Sequence, residues 1–328
     1  MKEQFKNATE EFYYLYSNFD VTEVMINGKN EIFYEEKGKV IKSPMSFSDD
    51  KEIVEIIRNL FLEAGKEFTE NLETEVVNLP NSKRMAVVLP PISFKGPALV
   101  IRKMPIQAHT FDNLISYKSI TKEGVEILKK IACSFKGILI SGGVGSGKIT
   151  LANCFTQLIP DNFRVIVLEK VGDMIINKAH YLHLQAKERT SESFIELIKF
   201  AGVLRPDVLF VNPIDGPEAS HIVNLGRNGH TVHAVIHAED TIDALKRMEL
   251  MYLRGDSIPG QIDIRKMIND VFTYTMQLDR FSSGRRVITS INRIDGVDDN
   301  GKFIITPLYW YDKENDVHKI TNEGEKLI

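Results

Sequence analysis

Cysteine is almost absent: only Cys133 and Cys154 stand among 328 residues, and neither belongs to a CxxC pair. A disulfide framework and a cysteine-based metal site are thereby excluded, and both thiols are expected to be small, buried, apolar residues of a cytosolic protein. Long apolar runs are missing too. Nowhere do about 18 uncharged apolar residues follow one another, and the opening MKEQFKNATEEF carries charge throughout. The chain is therefore expected to be neither exported nor membrane-spanning. There is no excess of positive charge. The formal net charge is −4, which gives no global attraction to nucleic acid or to an anionic membrane, so neither is indicated as a partner. Internal repeats and low-complexity segments are also lacking. The composition that remains, 43% hydrophobic and 26% charged, is that of a folded globular protein, and the length suits two domains.

Residues 19–40 read as short extended segments, punctuated at Asn27-Gly28 and Gly38. A helix should follow, capped by Ser48 and favoured by Asp49 and Asp50 in its positive first turn. Its inward residues would be Ile53, Ile56, Ile57, Leu60 and Phe61, before Gly65 stops it. Two strand-like runs, 85–89 and 98–102, flank Pro90-Pro91, Gly96 and Pro97. Together these predict a smaller α+β domain over 1–105 and a linker over 106–112. In the remainder, 113–328, a helix over 122–133 leads into the apolar run 137–140. Further β-branched runs at 164–168, 208–211 and 232–236 alternate with helical patterns. Ser193 and Glu196 have capping-box spacing, opening a helix with Leu197, Ile198 and Ala201 inward. Such alternation predicts an α/β fold with a mostly parallel sheet.

The sharpest chemical signal is Gly142-Gly143-Val144-Gly145-Ser146-Gly147-Lys148, set between an apolar strand and a helix through Leu151, Phe155 and Leu158. Glycines there let backbone N–H groups turn inward around phosphate oxygens. The helix N-terminus adds its positive end, and the lysine supplies a point charge. The next position ordinarily gives a Ser or Thr hydroxyl to Mg²⁺, but here it is Ile149. Thr150 is the neighbouring hydroxyl and the candidate metal contact, yet adjacent helical residues point roughly 100° apart. Binding of ATP or ADP is expected ahead of tight Mg²⁺ binding.

From this loop outward the chain resembles the type II/type IV secretion ATPases, in particular those of Flp/Tad-type pili and conjugal transfer. The residues that carry the resemblance are Asp20-Val-Thr-Glu-Val-Met-Ile-Asn-Gly28, Leu89-Pro-Pro, Gly96-Pro-Ala-Leu-Val-Ile-Arg102-Lys103, Leu204-Arg-Pro-Asp207, Gly229-His230, His237-Ala238, Arg247-Met-Glu-Leu250 and Gly284-Arg-Arg286. Each is weak alone; their common order is specific. The resemblance implies a RecA-like P-loop domain behind the smaller α+β domain, a homo-hexameric ring, and ATP at the cleft between domains. It also implies a cytoplasmic subunit working at the inner face of the membrane through a platform protein. Arg84, Arg102 and Lys103 match basic positions near the family's nucleotide or adjoining subunit, and Arg102 is the candidate contact.

The catalytic positions depart from the family pattern. Its acidic pair becomes Glu169-Lys170, one carboxylate beside a charge able to neutralise it. Its Gly-Glu-Val-Arg-Gly becomes Asn212-Pro213-Ile214-Asp215-Gly216. Proline offers neither charge nor backbone donor. Asp215 lies two residues on, a displacement of roughly 6–7 Å along an extended chain. Asp207 reads as a loop or capping residue. The offsets among His230, His233 and His237 put them on different strand faces, against a shared metal. Glu169, Asp215 and His237 are the candidate catalytic groups. Two functions stay open: an ATPase motor, or a subunit that binds nucleotide without hydrolysing it. A small-molecule phosphotransferase would need an acceptor lid that is not recognisable here.

Overall fold

The computed structural model describes residues 5–36, 38–69, 71–81, 83–103, 109–187, 190–255 and 260–328. Residues 106–108 of the expected linker lie outside them; residues 111 and 112 already belong to a helix. The chain forms two compact units, Met1–Gln107 and Ala108–Ile328.

The first unit contains α1 (Ala8–Ser17), β1 (Val21–Asn27), β2 (Ile32–Glu36), β3 (Lys39–Lys42), α2 (Asp50–Glu63), β4 (Thr74–Leu79), β5 (Lys83–Val88) and β6 (Ala98–Lys103). Its sheet is antiparallel throughout, in the order β3-β2-β1-β6-β5-β4. The apolar faces of α1 and α2 supply Phe12, Leu15, Ile53, Ile57, Leu60 and Phe61. These pack on Val24, Ile26, Met85, Val87, Leu99 and Ile101 from alternate strand positions. Each such buried side chain is worth roughly 1.5–3 kcal/mol. The cap of α2 is Asp49 rather than Ser48: its extended backbone aims the carboxylate at the Lys51 and Glu52 N–H groups, 2.9 and 3.1 Å away.

The second unit opens with α3 (Phe111–Ser116), α4 (Lys122–Cys133), β7 (Gly137–Gly142), α5 (Lys148–Thr156), β8 (Val165–Glu169), β9 (Tyr181–Gln185), α6 (Ser191–Gly202), β10 (Val208–Ile214), α7 (Glu218–Arg227) and β11 (Thr231–His237). It closes with α8 (Thr241–Tyr252), α9 (Gln261–Val271), β12 (Phe272–Arg280), β13 (Arg286–Val297), β14 (Phe303–Asp312), β15 (Val317–Ile320) and α10 (Asn322–Glu325). The nine-stranded sheet runs β15-β14-β13-β12-β7-β11-β10-β8-β9. From β12 to β9 every pairing is parallel, whereas β13, β14 and β15 extend the sheet antiparallel. The expected mostly parallel sheet therefore needs correction at that edge, where consecutive strands joined by tight turns replace strand-helix-strand units.

Strand alternation sorts the core onto two faces. Ile138, Ile140, Val167 and Phe210 pack against α4 and α5. Leu139, Leu168, Leu209 and Val211 pack against α6, α7, α8 and α9. Two local expectations shift. Helix α6 starts three residues before the expected capping box, at Thr190, whose Oγ1 accepts the Ser193 N–H. Cys133 ends α4 exposed, while Cys154 is buried. Among the described residues no helix is long and apolar enough to cross a membrane.

Candidate nucleotide site

The loop at 142–148 leaves the carboxyl end of β7, with parallel neighbours on both sides. Gly142, Gly145 and Gly147 all take positive φ, at 158°, 71° and 96°. At Gly142 even a methyl would stand 2.5 Å from the Leu278 carbonyl oxygen, so close approach of β12 also demands glycine there. Gly147 occupies the cap position of α5 without a capping side chain, leaving the helix's first N–H groups for an incoming anion. Gly143, Val144 and Gly145 are exposed; Ser146 is buried, and its hydroxyl has no partner among the described residues.

Lys148, the first residue of α5, is 5% exposed. Its Nζ donates to the Gly143 carbonyl at 2.6 Å, tying the loop across its own mouth. No ion pair is formed by it among the described residues, and burial pushes its pKa down to about 8. A buried, uncompensated ammonium gains from any anion brought to it. Arg286 braces the loop from β13, its Nε donating to the Gly145 carbonyl at 3.0 Å.

A cavity of about 320 Å³ adjoins the loop. Ser146, Gly147 and Thr150 line it from the loop side; Leu114, Leu278 and Ile288 add apolar surface, and Tyr117, His109, Arg285 and Arg286 also line it. The volume lies at the small end of the range for small-molecule pockets. Thr150, the candidate metal contact, thus lines a cavity without a carboxylate, and Ile149, also on α5, packs against the core.

The strand ends next to the loop carry the other candidates. Register places His237 opposite Gly142, and Glu169 opposite Asn212. Glu169 is fully buried and committed. Oε1 accepts from the Asp173 and Met174 N–H groups at 3.0 and 3.2 Å and from Asn212 Nδ2 at 2.7 Å, while Oε2 accepts from Met174 N–H at 3.1 Å and faces His183 Nε2 at 2.5 Å. It anchors the turn after β8 and holds no free lone pair toward a water.

Lys170 does not neutralise Glu169, which corrects the sequence expectation. Successive strand residues face opposite ways, and Lys170 turns toward α6 and α7, over the Phe194 ring and onto Asp215 and Glu218. Burial opposes its charged form, but the hydrogen bonds to Asp215 and Glu218 outweigh that and raise its pKa. Asp215 is accordingly tied up by an ion pair. Pro213 contributes no donor. Glu218 lies 48 residues from Lys170, and Asn212 and His183 lie 43 and 14 residues from Glu169, so no local motif links these contacts and the sequence reading gave none of the three a role.

His237 ends β11. Its pKa is lowered, first by partial burial and then by Lys148, with Asp215 opposing, so the ring stays neutral beside the loop. His233 is wholly buried between the rings of Phe155 and Phe210. Among the described residues no group of three or more His, Cys, Asp or Glu is placed to hold a metal. Asp207 is structural, its Oδ2 accepting the Arg164 N–H at 2.7 Å. Arg102 sits exposed on β6 of the first unit. Lys103 caps α1, donating to the Leu15 and Asn18 carbonyls at 2.5 and 2.7 Å.

A glycine loop running from a central parallel strand into a helix, with a lysine that forms no ion pair among the described residues, is an α/β arrangement suited to an anion. The chain belongs to the Type II/IV secretion system protein family, whose profile matches residues 8–273. It is similar to the conjugal transfer protein TrbB of Rhizobium radiobacter, 26% identical over 286 residues, covering 85% of each chain. It is also similar to the type IV secretion system protein VirB11 of Bartonella quintana, 23% identical, covering 82% of this chain and 87% of that one. The fold matches that of the pilus retraction motor PilT, solved with bound ADP, at a TM-score of 0.65 and 15% identity, covering 90% of this chain and 85% of that one.

Proposed function

We propose that this protein is a RecA-like, nucleotide-binding subunit of a secretion, conjugation or pilus-assembly machine, one that binds ATP or ADP and turns ATP over little. The observation that carries the reading is the Lys148 ammonium: buried, without a carboxylate partner among the described residues, and held only by the Gly143 carbonyl of its own loop. Phosphate oxygens suit that place, and neutral His237 beside it suits a further polar contact. The apolar cavity with Tyr117 and His109 suits the nucleoside.

Low turnover follows from where the carboxylates point. Hydrolysis requires a group that positions and polarises water. Glu169 is saturated by backbone and side-chain donors, Asp215 is paired with Lys170, and the intervening position is Pro213. The donor set does not suit a divalent cation either: Ile149 has no oxygen, and the two carboxylates on the Lys170 side converge on an ammonium. By family likeness, nucleotide binding would bias movement between the two domains, with Arg102 as a contact from the first. The subunits would form a hexameric ring on the cytoplasmic side, at the inner face of the membrane, against a platform protein.

The test is direct. A fluorescent ATP analogue should bind the purified wild type and bind Lys148→Ala weakly, while light scattering on the same samples reads the mass of the assembly. Failure of the wild type to retain ATP or ADP would remove the reading.

A further inference from the structure

A lysine that directly follows a strand normally reaches for water, because desolvating an unpaired ammonium is strongly unfavourable. Lys170 does the reverse. Its side chain is 6% exposed, and Nζ lies 2.8 Å from Glu218 Oε1 and against Asp215 Oδ1. Glu218 is itself wholly buried at the first turn of α7. Its Oε1 also accepts the Asp215 and Gly216 N–H groups at 2.9 and 3.0 Å. Its second oxygen is buried with no hydrogen-bond partner among the described residues.

Two carboxylates thus converge on one point, with a spare buried lone pair, at the same sheet edge as the phosphate loop. Asp215 follows Ile214, which pairs with Ile236; His237 comes next and pairs with Gly142. One or two carboxylates completed by water and phosphate oxygens are the usual holders of a small divalent cation. Here an ammonium occupies the point of convergence. Two anionic groups and one fixed cation leave a single net negative charge, and the loop position that would give a metal its hydroxyl is Ile149.

We propose that the Lys170 ammonium is a tethered replacement for a divalent cation at this edge, and that the protein binds its nucleotide without a metal ion. The second half rests on the nucleotide reading above; the first half does not. A cation supplied by the chain cannot be chelated away, so the nucleotide-bound state would persist wherever free Mg²⁺ fluctuates.

Two measurements on the full chain decide it. In the first, a fluorescent ADP analogue is titrated into wild type with Mg²⁺ and with EDTA. The dissociation constants should agree within about twofold, and weakening by about tenfold or more in EDTA overturns the proposal. In the second, Mn²⁺ is titrated into nucleotide-free protein and followed by electron paramagnetic resonance, with circular dichroism checking the fold. Wild type should bind no Mn²⁺ at this site. Lys170→Met should gain one bound Mn²⁺, and adding Asp215→Asn should remove it. Mn²⁺ bound by wild type and lost in Asp215→Asn, or no gain in a folded Lys170→Met protein, overturns the tethered cation. If Lys170→Met does not fold, the two wild-type results decide alone. Wild type that binds no nucleotide in either buffer refutes the nucleotide reading and with it metal-free binding, while the Mn²⁺ titration still judges Lys170.

Discussion

The phosphate loop and the neighbouring strand ends share one edge of one sheet and treat charge in opposite ways. In the loop, Lys148 is buried with only a carbonyl for company, and the Ser146 hydroxyl has no partner. At the ends of β8 and β10, Glu169 collects donors from four residues, and Lys170 is held by Asp215 and Glu218, with only the second oxygen of Glu218 left over. Unspent charge and hydrogen-bonding capacity mark a place prepared for a ligand; saturated groups mark a place given over to structure. In the function proposed above, the loop would hold phosphates while the strand-end carboxylates, engaged by other side chains, would serve as a scaffold.

Substitutions should break that contrast unequally. Glu218→Ala, which leaves the buried Lys170 with a single exposed partner, should cost about 3–5 kcal/mol of stability in urea denaturation. Next comes Lys148→Ala, where no ion pair is lost on folding. Stability should hold, while nucleotide affinity falls by about 10- to 150-fold in a binding titration, as expected for one charge-assisted contact.

The pH dependence sharpens the same point. The folded pKa of Lys148 is lowered to about 8, and bound phosphate would raise it, so affinity should be full below pH 8. Above that it should decline by at most about tenfold per pH unit, read in the same titration at constant ionic strength. The smallest effect is expected for Ile149→Thr. Restoring the hydroxyl alone leaves Lys170 in place, so nucleotide affinity with and without Mg²⁺ should stay within about twofold of wild type.

The sequence exposed these two regions unequally, for a physical reason. The loop is local: seven consecutive residues, glycines where φ must be positive, a strand before and a helix after, all within the reach of a motif. The buried strands of the parallel sheet were legible for the same reason, as short β-branched runs. The scaffold is non-local. Glu169 meets Asn212 only because β8 and β10 pair in that register, and Lys170 meets Glu218 only because α7 starts where it does. Strand β9, with its alternately half-buried and exposed pattern, lacks the continuous apolar signature of its neighbours and passed unseen. Helix starts moved by one residue at Asp49 and by three at Thr190, since several polar side chains compete for one cap and backbone geometry decides.

The central claim, holding without hydrolysing, is most directly tested by phosphate release from ATP. Purified wild type and Lys148→Ala are compared with Mg²⁺ at ATP concentrations that saturate wild-type binding. The account predicts wild-type release little above the Lys148→Ala level. Robust turnover that depends on both Lys148 and Mg²⁺ would contradict it, and would require Glu169 or Asp215 to leave the contacts described for it.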